Sequence, residues 1–119
     1  MIDANQAKTH CLAQVGAYED FPFGPNAAVY KVMGKMFALI GDEGDDIWLK
    51  CDPVLVQLLR EKYTAVTFAP YMSRKHWNAI KFDGDVPDDE FLELIEHSYE
   101  LVVKKLRKAD REKLANGDS

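Results

Sequence analysis

The residues best suited to chemistry lie in one run, Tyr71-Met-Ser-Arg-Lys-His-Trp-Asn-Ala-Ile-Lys-Phe82, where Arg74, Lys75, His76 and Trp77 stand side by side. Cations, an imidazole and an indole are the groups that engage phosphates and bases. Adjacent residues of a strand alternate between faces, so these four cannot all reach one ligand. Spacing alone favours Trp77 as a core anchor, with Arg74 and Lys75 solvated, over a joint contact surface.

No other constellation dictates a reaction. Ser98 follows His97, but neighbours on a helix point about 100° apart, and no nucleophile elbow surrounds the serine. Ser98 reads as a small residue packed under Tyr99 or facing a sheet. His10, His76 and His97 are far apart in the chain. Glu93 with His97 at i,i+4 is more often a surface pair than half of a zinc site. The run Asp42-Glu-Gly-Asp-Asp46 lacks the calcium-loop pattern and reads as a solvated turn. Gly24, Gly34 and Gly41 follow no phosphate-loop spacing. The expectation is a non-catalytic protein that needs neither metal nor cofactor.

The elements that position these residues follow from periodicity and turn chemistry. Ala4, Ala7, Cys11 and Val15 recur at helical spacing after Asp3, predicting a first helix from Asp3 to Val15. Gly16 to Asn26 contains two Gly, two Pro and Phe21-Pro-Phe-Gly24, and is expected to form a structured loop whose Phe21 and Phe23 plug the edge of the core. Three strands are predicted next, Ala28 to Met33, Met36 to Gly41 and Asp46 to Cys51, as an antiparallel meander turning at Gly34-Lys35 and at the acidic run. Alternation places Tyr30, Val32, Ile47, Leu49 and Cys51 toward the core. It turns Val29, Lys31, Met33, Trp48 and Lys50 toward an open face. Trp48 there is equally suited to stacking on a flat anionic ligand and to packing on lysine stems or a second subunit.

Asp52-Pro53 starts a second helix that runs to Tyr63. An extended piece at Ala65 to Ala69 and a strand from Lys75 to Phe82 follow, closed by Asp83-Gly84. Asp88 to Lys108 is predicted as a long helix across the sheet, with acids early and cations late as the helix dipole favours. Ala109 to Ser119 is expected to fray. The order α-β-β-β-α-β(β)-α predicts an α+β, two-layer sandwich: an antiparallel sheet with helices on one face and the other face open.

The 119 residues fit a single domain, and a hydrophobic fraction of 47% with 29% charged residues is ordinary for a soluble protein. No apolar run nears the length of a membrane span, and the first residues lack the pattern of a signal peptide. Cys11 and Cys51 form no metal-type pair and suit buried thiols in a reducing compartment, so a cytoplasmic location is expected. The net charge of −5 disfavours an indiscriminate nucleic-acid binder. The acids are concentrated, however. Asp85 to Val103 has no Lys or Arg, whereas cations recur from Lys31 to Gly84 and from Lys104 onward, leaving room for local basic patches.

Six segments together carry a resemblance to a known family: Phe21-Pro-Phe-Gly24, Val29-Tyr-Lys-Val-Met-Gly-Lys-Met-Phe-Ala-Leu39, Leu49-Lys-Cys-Asp-Pro53, Ala69-Pro-Tyr-Met72, Lys75-His-Trp77 and Ser98-Tyr-Glu-Leu-Val102. By these the chain resembles the MmcQ/YjbR family over nearly its whole length. The resemblance implies a compact α/β domain likened to the CyaY and secretion-chaperone folds, with a double-wing arrangement proposed to bind DNA. It carries Lys31, Lys35, Lys50, Tyr71, Lys75, His76 and Trp77 forward as nucleic-acid contacts, to which local chemistry adds Arg74. Trp48 is the stacking candidate of the open face. The partners expected are DNA or, in the alternative reading of a chaperone-like interaction module, another protein or a second copy meeting the open face. A frataxin-like iron role finds little support, because the first helix offers only Asp3 before Glu19.

Overall fold

The structure, a computed structural model, describes residues 1–117; Asp118 and Ser119, the end of the segment expected to fray, lie outside the described residues. The elements are α1 (Ala4–Leu12), β1 (Tyr18–Asp20), β2 (Ala27–Val32), β3 (Lys35–Gly41), β4 (Asp46–Lys50), α2 (Pro53–Lys62), β5 (Val66–Phe68), β6 (Trp77–Lys81), α3 (Asp88–Lys104) and α4 (Lys108–Ala115). The strands form one antiparallel sheet ordered β1-β2-β3-β4-β6-β5. Helices pack on one side of it, so the expected α+β sandwich is the observed architecture.

Local chemistry explains the boundaries. Asp3 caps α1 through a reciprocal capping box with Gln6, and Asp52 caps α2 with Pro53 at its first position. The β2–β3 hairpin turns at Met33 and Gly34, both left-handed (φ 49° and 79°), the pairing that lets two strands close without splaying. The turn thus lies one residue earlier than the spacing suggested. At Gly84 a side chain is excluded outright, because a Cβ there would lie 2.4 Å from that of Ala65. The Asp85 carboxylate accepts the N–H groups of Thr64 and Ala65, both at 2.9 Å, which fastens the start of β5 and holds its carboxyl below the usual range.

Five expectations need correction. The Gly16–Asn26 loop contains β1, a three-residue edge strand too short to show a period. Phe21 and Phe23 do not plug the core: they are 47% and 69% exposed. The long C-terminal helix stops at Lys104, and a turn at Lys105–Arg107 redirects the chain into α4, which brings Leu106 and Leu114 into the core. Residues 109–115 are therefore folded rather than frayed. Val29 does face away from the helices yet is completely buried, and Met33 packs on the helix-side core.

The helix-side core contains Tyr30, Val32, Phe37, Ile40, Ile47, Leu49, Val56, Ile80, Phe91 and Ile95, together with Cys11 and Cys51. Both thiols are free, and burial pushes Cys11 up to about 12 and Cys51 to about 11, as befits packing groups rather than nucleophiles. Ser98, fully buried, faces the sheet. Its hydroxyl donates to the Phe37 carbonyl and accepts the Lys50 N–H at 2.9 Å, bridging the point where the β3–β4 ladder ends. Ser98→Ala should orphan both backbone groups and cost about 2 kcal/mol, readable as a lower urea midpoint with unchanged slope. A loss below about 0.5 kcal/mol would show that the two strands close on each other without the hydroxyl.

Candidate nucleic-acid interface

Paired residues of adjacent strands share a face, so the registers map the side of the sheet that carries no helix. One row across it is Asp20, Val29, Leu39, Trp48, Ala79 and Thr67. The next row, toward the Met33–Gly34 turn, is Tyr18, Lys31, Met36, Lys50 and Trp77. On the opposite flank lie Ala27, Gly41, Asp46 and Lys81, beside the acidic turn. Lys31 and Lys50 thus stand toward one end of the face, while at the other Lys81 faces Asp46 beside the acidic turn.

Its middle is apolar. Trp77, Ala69 and Ala79 form a second buried cluster, with half-buried Met36, Trp48 and Met72 packed around them. Trp77 is 9% exposed. It is an anchor, as its spacing suggested, but of this face rather than of the helix-side core. Trp48 lies here as expected, half-buried.

The candidate cations differ in what already holds them. Lys31 is committed to Asp20 at 2.8 Å, which raises the lysine and lowers the carboxyl. Lys50 sits half-buried, and burial together with the nearby charge of Lys105 pulls its ammonium below the usual lysine range. No carboxylate pairs with Lys35, Lys50, Lys75 or Lys105 among the described residues. Two adjacent cations without an anion make a place where an anion is welcome.

The loop from Pro70 to His76 joins this end of the face. Tyr71 is fully exposed and left-handed (φ 66°), a costly conformation for a non-glycine residue. Arg74 and Lys75 are exposed, and His76 is half-buried. The Arg74 guanidinium lies 4.1 Å above the Phe68 ring, which holds its charge at the β5 edge. The His76 carbonyl accepts the Cys51 N–H at 2.8 Å, tying the loop to the end of β4 beside Lys50.

Arg60, which sequence reasoning passed over, fixes this loop from behind. Its Nε donates to Asn78 Oδ1 at 2.7 Å, and one terminal nitrogen donates to the carbonyls of Arg74 (2.8 Å) and Trp77 (3.0 Å). Asn78, 1% exposed, also donates to the Val56 carbonyl at 3.4 Å, completing a link from α2 through β6 to the loop. The one available signal was an Asn inside an otherwise apolar strand, which a buried site tolerates only when partnered.

No group of three or more His, Cys, Asp or Glu stands ready to hold a metal ion among the described residues. Nor is any described helix long and apolar enough to cross a membrane.

Comparison with known proteins agrees with the fold. The family model described as YjbR matches residues 12–101. The uncharacterized protein YjbR of Escherichia coli K12 is 28% identical over 107 residues, covering 88% of this chain and 91% of that protein. The uncharacterized protein YbdF of Escherichia coli O157:H7 is 32% identical over 99 residues, 82% of this chain and 81% of its own. Among solved structures, the Deinococcus radiodurans protein DR2400, with its DUF419 domain, superposes at a TM-score of 0.88 with 31% identity, covering all of this chain and 92% of that one. A crystal structure of a Pseudomonas syringae protein gives 0.73 with 27% identity over 84% of this chain and 98% of that chain. With the model match spanning residues 12–101 and DR2400 sharing the fold at 31% identity, the chain belongs to the YjbR family.

Proposed function

We propose that this protein is a non-catalytic DNA-binding domain, acting in the cytoplasm and contacting DNA through the cationic end of its helix-free sheet face and the adjoining 70–76 loop. The observations that support this most are that Lys50, Lys75 and Lys105 have no carboxylate partner among the described residues, that the charges of Lys50 and Lys105 lie near each other, and that Tyr71 in the adjoining loop is exposed and left-handed. Lys50, Lys75 and Arg74 contact phosphates, and Tyr71 stacks on a base that a single strand can turn outward. Lys31, neutralised by Asp20, contributes position more than charge. The acidic turn at the far end of the face repels a strand laid the wrong way, so the strand has a preferred course.

Anisotropy of labelled single- and double-stranded DNA across a salt series tests this. Micromolar binding is expected at about 50 mM salt, with log affinity falling linearly in log salt. Lys50→Glu and Lys75→Glu should each weaken it about tenfold and flatten the slope. Tyr71→Ala should weaken single-strand binding about tenfold while leaving the slope intact, because stacking releases no counterions. No binding at low salt, or binding indifferent to the lysine reversals, would overturn the proposal.

A further inference from the structure

On the opposite layer, α2 rests against β5 while α3 lies over β3 and β4, and a groove remains between the two helices. Leu55, Leu94 and Pro87 line its apolar part, and Asp89, Glu90, Glu93 and His97 form its polar wall along α3. The α2 side continues outward in Val54 and Leu58, 72% and 55% exposed, one helical turn apart beside Leu55. Exposed aliphatic side chains at that spacing on a helix that is capped, charged at its end and otherwise regular are unneeded for the fold.

The wall is more acidic than its own structure consumes. Glu90 accepts the Tyr63 hydroxyl, and His97 Nε2 accepts the Asp52 N–H at 3.2 Å. Asp89 and Glu93 have no ion-pair partner among the described residues. We infer that this groove docks a basic amphipathic helix of a partner protein, its apolar side chains at i, i+3 or i+4 meeting Val54, Leu55, Leu58 and Leu94, and its Lys or Arg meeting Asp89 and Glu93. Charge selects this occupant. The carboxylates repel nucleic acid and anionic lipid, while an apolar strip beside them suits a helix with cations along one flank. A second copy of the chain does not supply such a helix, because its basic helix α4 already spends Leu114 on its own core. The ten residues of α2 span about 15 Å, which matches a partner segment of two to three turns.

The test titrates the full-length, isotope-labelled protein with synthetic helical peptides of about 14 residues: one basic and amphipathic, one of the same composition with its apolar residues scrambled, and one with Glu in place of Lys. The basic amphipathic peptide is expected to saturate at a Kd below about 100 µM, with amide shifts concentrated at residues 54–58 and 89–97. Leu58→Glu and Glu93→Lys, both surface changes, should each weaken it at least about tenfold while leaving DNA binding unchanged, so that this site and the sheet-face site succeed or fail separately. Equal binding of the scrambled peptide, shifts centred on the 42–46 turn, wild-type affinity in Leu58→Glu, or no saturation would each overturn the proposal.

Discussion

Phe37→Ala is expected to remove about 4 kcal/mol of stability, the largest loss of any single truncation considered. Phe37 is the extra residue of a bulge: Tyr30 opposes Ala38 and Lys31 opposes Met36, which leaves Phe37 with no partner on β2. The bulge turns its ring into the helix-side core. There it is completely buried and meets the Tyr99 ring edge-on, at 5.4 Å between centroids and 83° between planes. Tyr99 in turn donates its hydroxyl to the Val15 carbonyl at 2.6 Å, so the ring pair also anchors the segment that leads from α1 into β1. Alanine would forfeit the ring's burial and leave a cavity that a bulged strand, fixed through its own carbonyl to Ser98, cannot easily collapse into. Against a total of about 5–15 kcal/mol this is a large share. Urea unfolding followed by the fluorescence of Trp48 and Trp77, both on the other face, reads it as a lower midpoint with unchanged slope. Phe37→Leu should cost only about 1 kcal/mol. A cost near 1 kcal/mol for the alanine variant as well would mean that the bulge flattens and the neighbouring chain fills the space.

The second large effect is expected at Asn78, where alanine should cost about 3 kcal/mol. Among the described residues the Asn78 amide is the only side chain that meets Arg60 Nε, and removing it strands part of a charged guanidinium in a half-buried site. Arg60→Met should be costly too, since it releases the carbonyls of Arg74 and Trp77 together with Asn78. The double variant should cost about 1–2 kcal/mol less than the sum, because each residue's penalty lies mainly in what it leaves unpaired. Amide exchange at His76 and Trp77 should accelerate in either single variant, and DNA affinity should fall although no proposed contact is touched. Strict additivity would show that Arg60 and Asn78 act independently.

How much was legible in the sequence depended on where the deciding interactions lay. Helix caps are local, and Asp3 for α1 and Asp52 with Pro53 for α2 announced these helices. The meander β2–β4 followed from runs of apolar residues between turns, although in β3 the run Phe37-Ala-Leu-Ile40 hides the alternation, because the bulge turns Phe37 to the same side as Ala38 and Ile40 and leaves Leu39 alone on the helix-free face. β1 was hidden because three residues cannot display a period, and the break after Lys104 was hidden because no Gly or Pro announces it; there the burial of Leu106 and Leu114 outweighs local helix propensity. The candidate loop was visible by composition, but its support was not. Helical spacing describes Arg60 as one more surface cation, and only the tertiary fold brings its fork to Asn78.

The strand order also sets a timetable for synthesis. β6 inserts between β4 and β5, although β5 precedes it in the chain. As the polypeptide leaves the ribosome, β1 to β4 can pair in sequence, but the outer edge of β4 stays bare until Lys81 has followed Lys50, a separation of 31 residues. At about 5–20 residues per second that is roughly 2–6 s of exposed strand edge. The intervening Asp52–Pro53 start lets α2 fold locally in that interval, and the half-made sheet carries Lys50 on its open margin as a charge against premature pairing with another nascent chain.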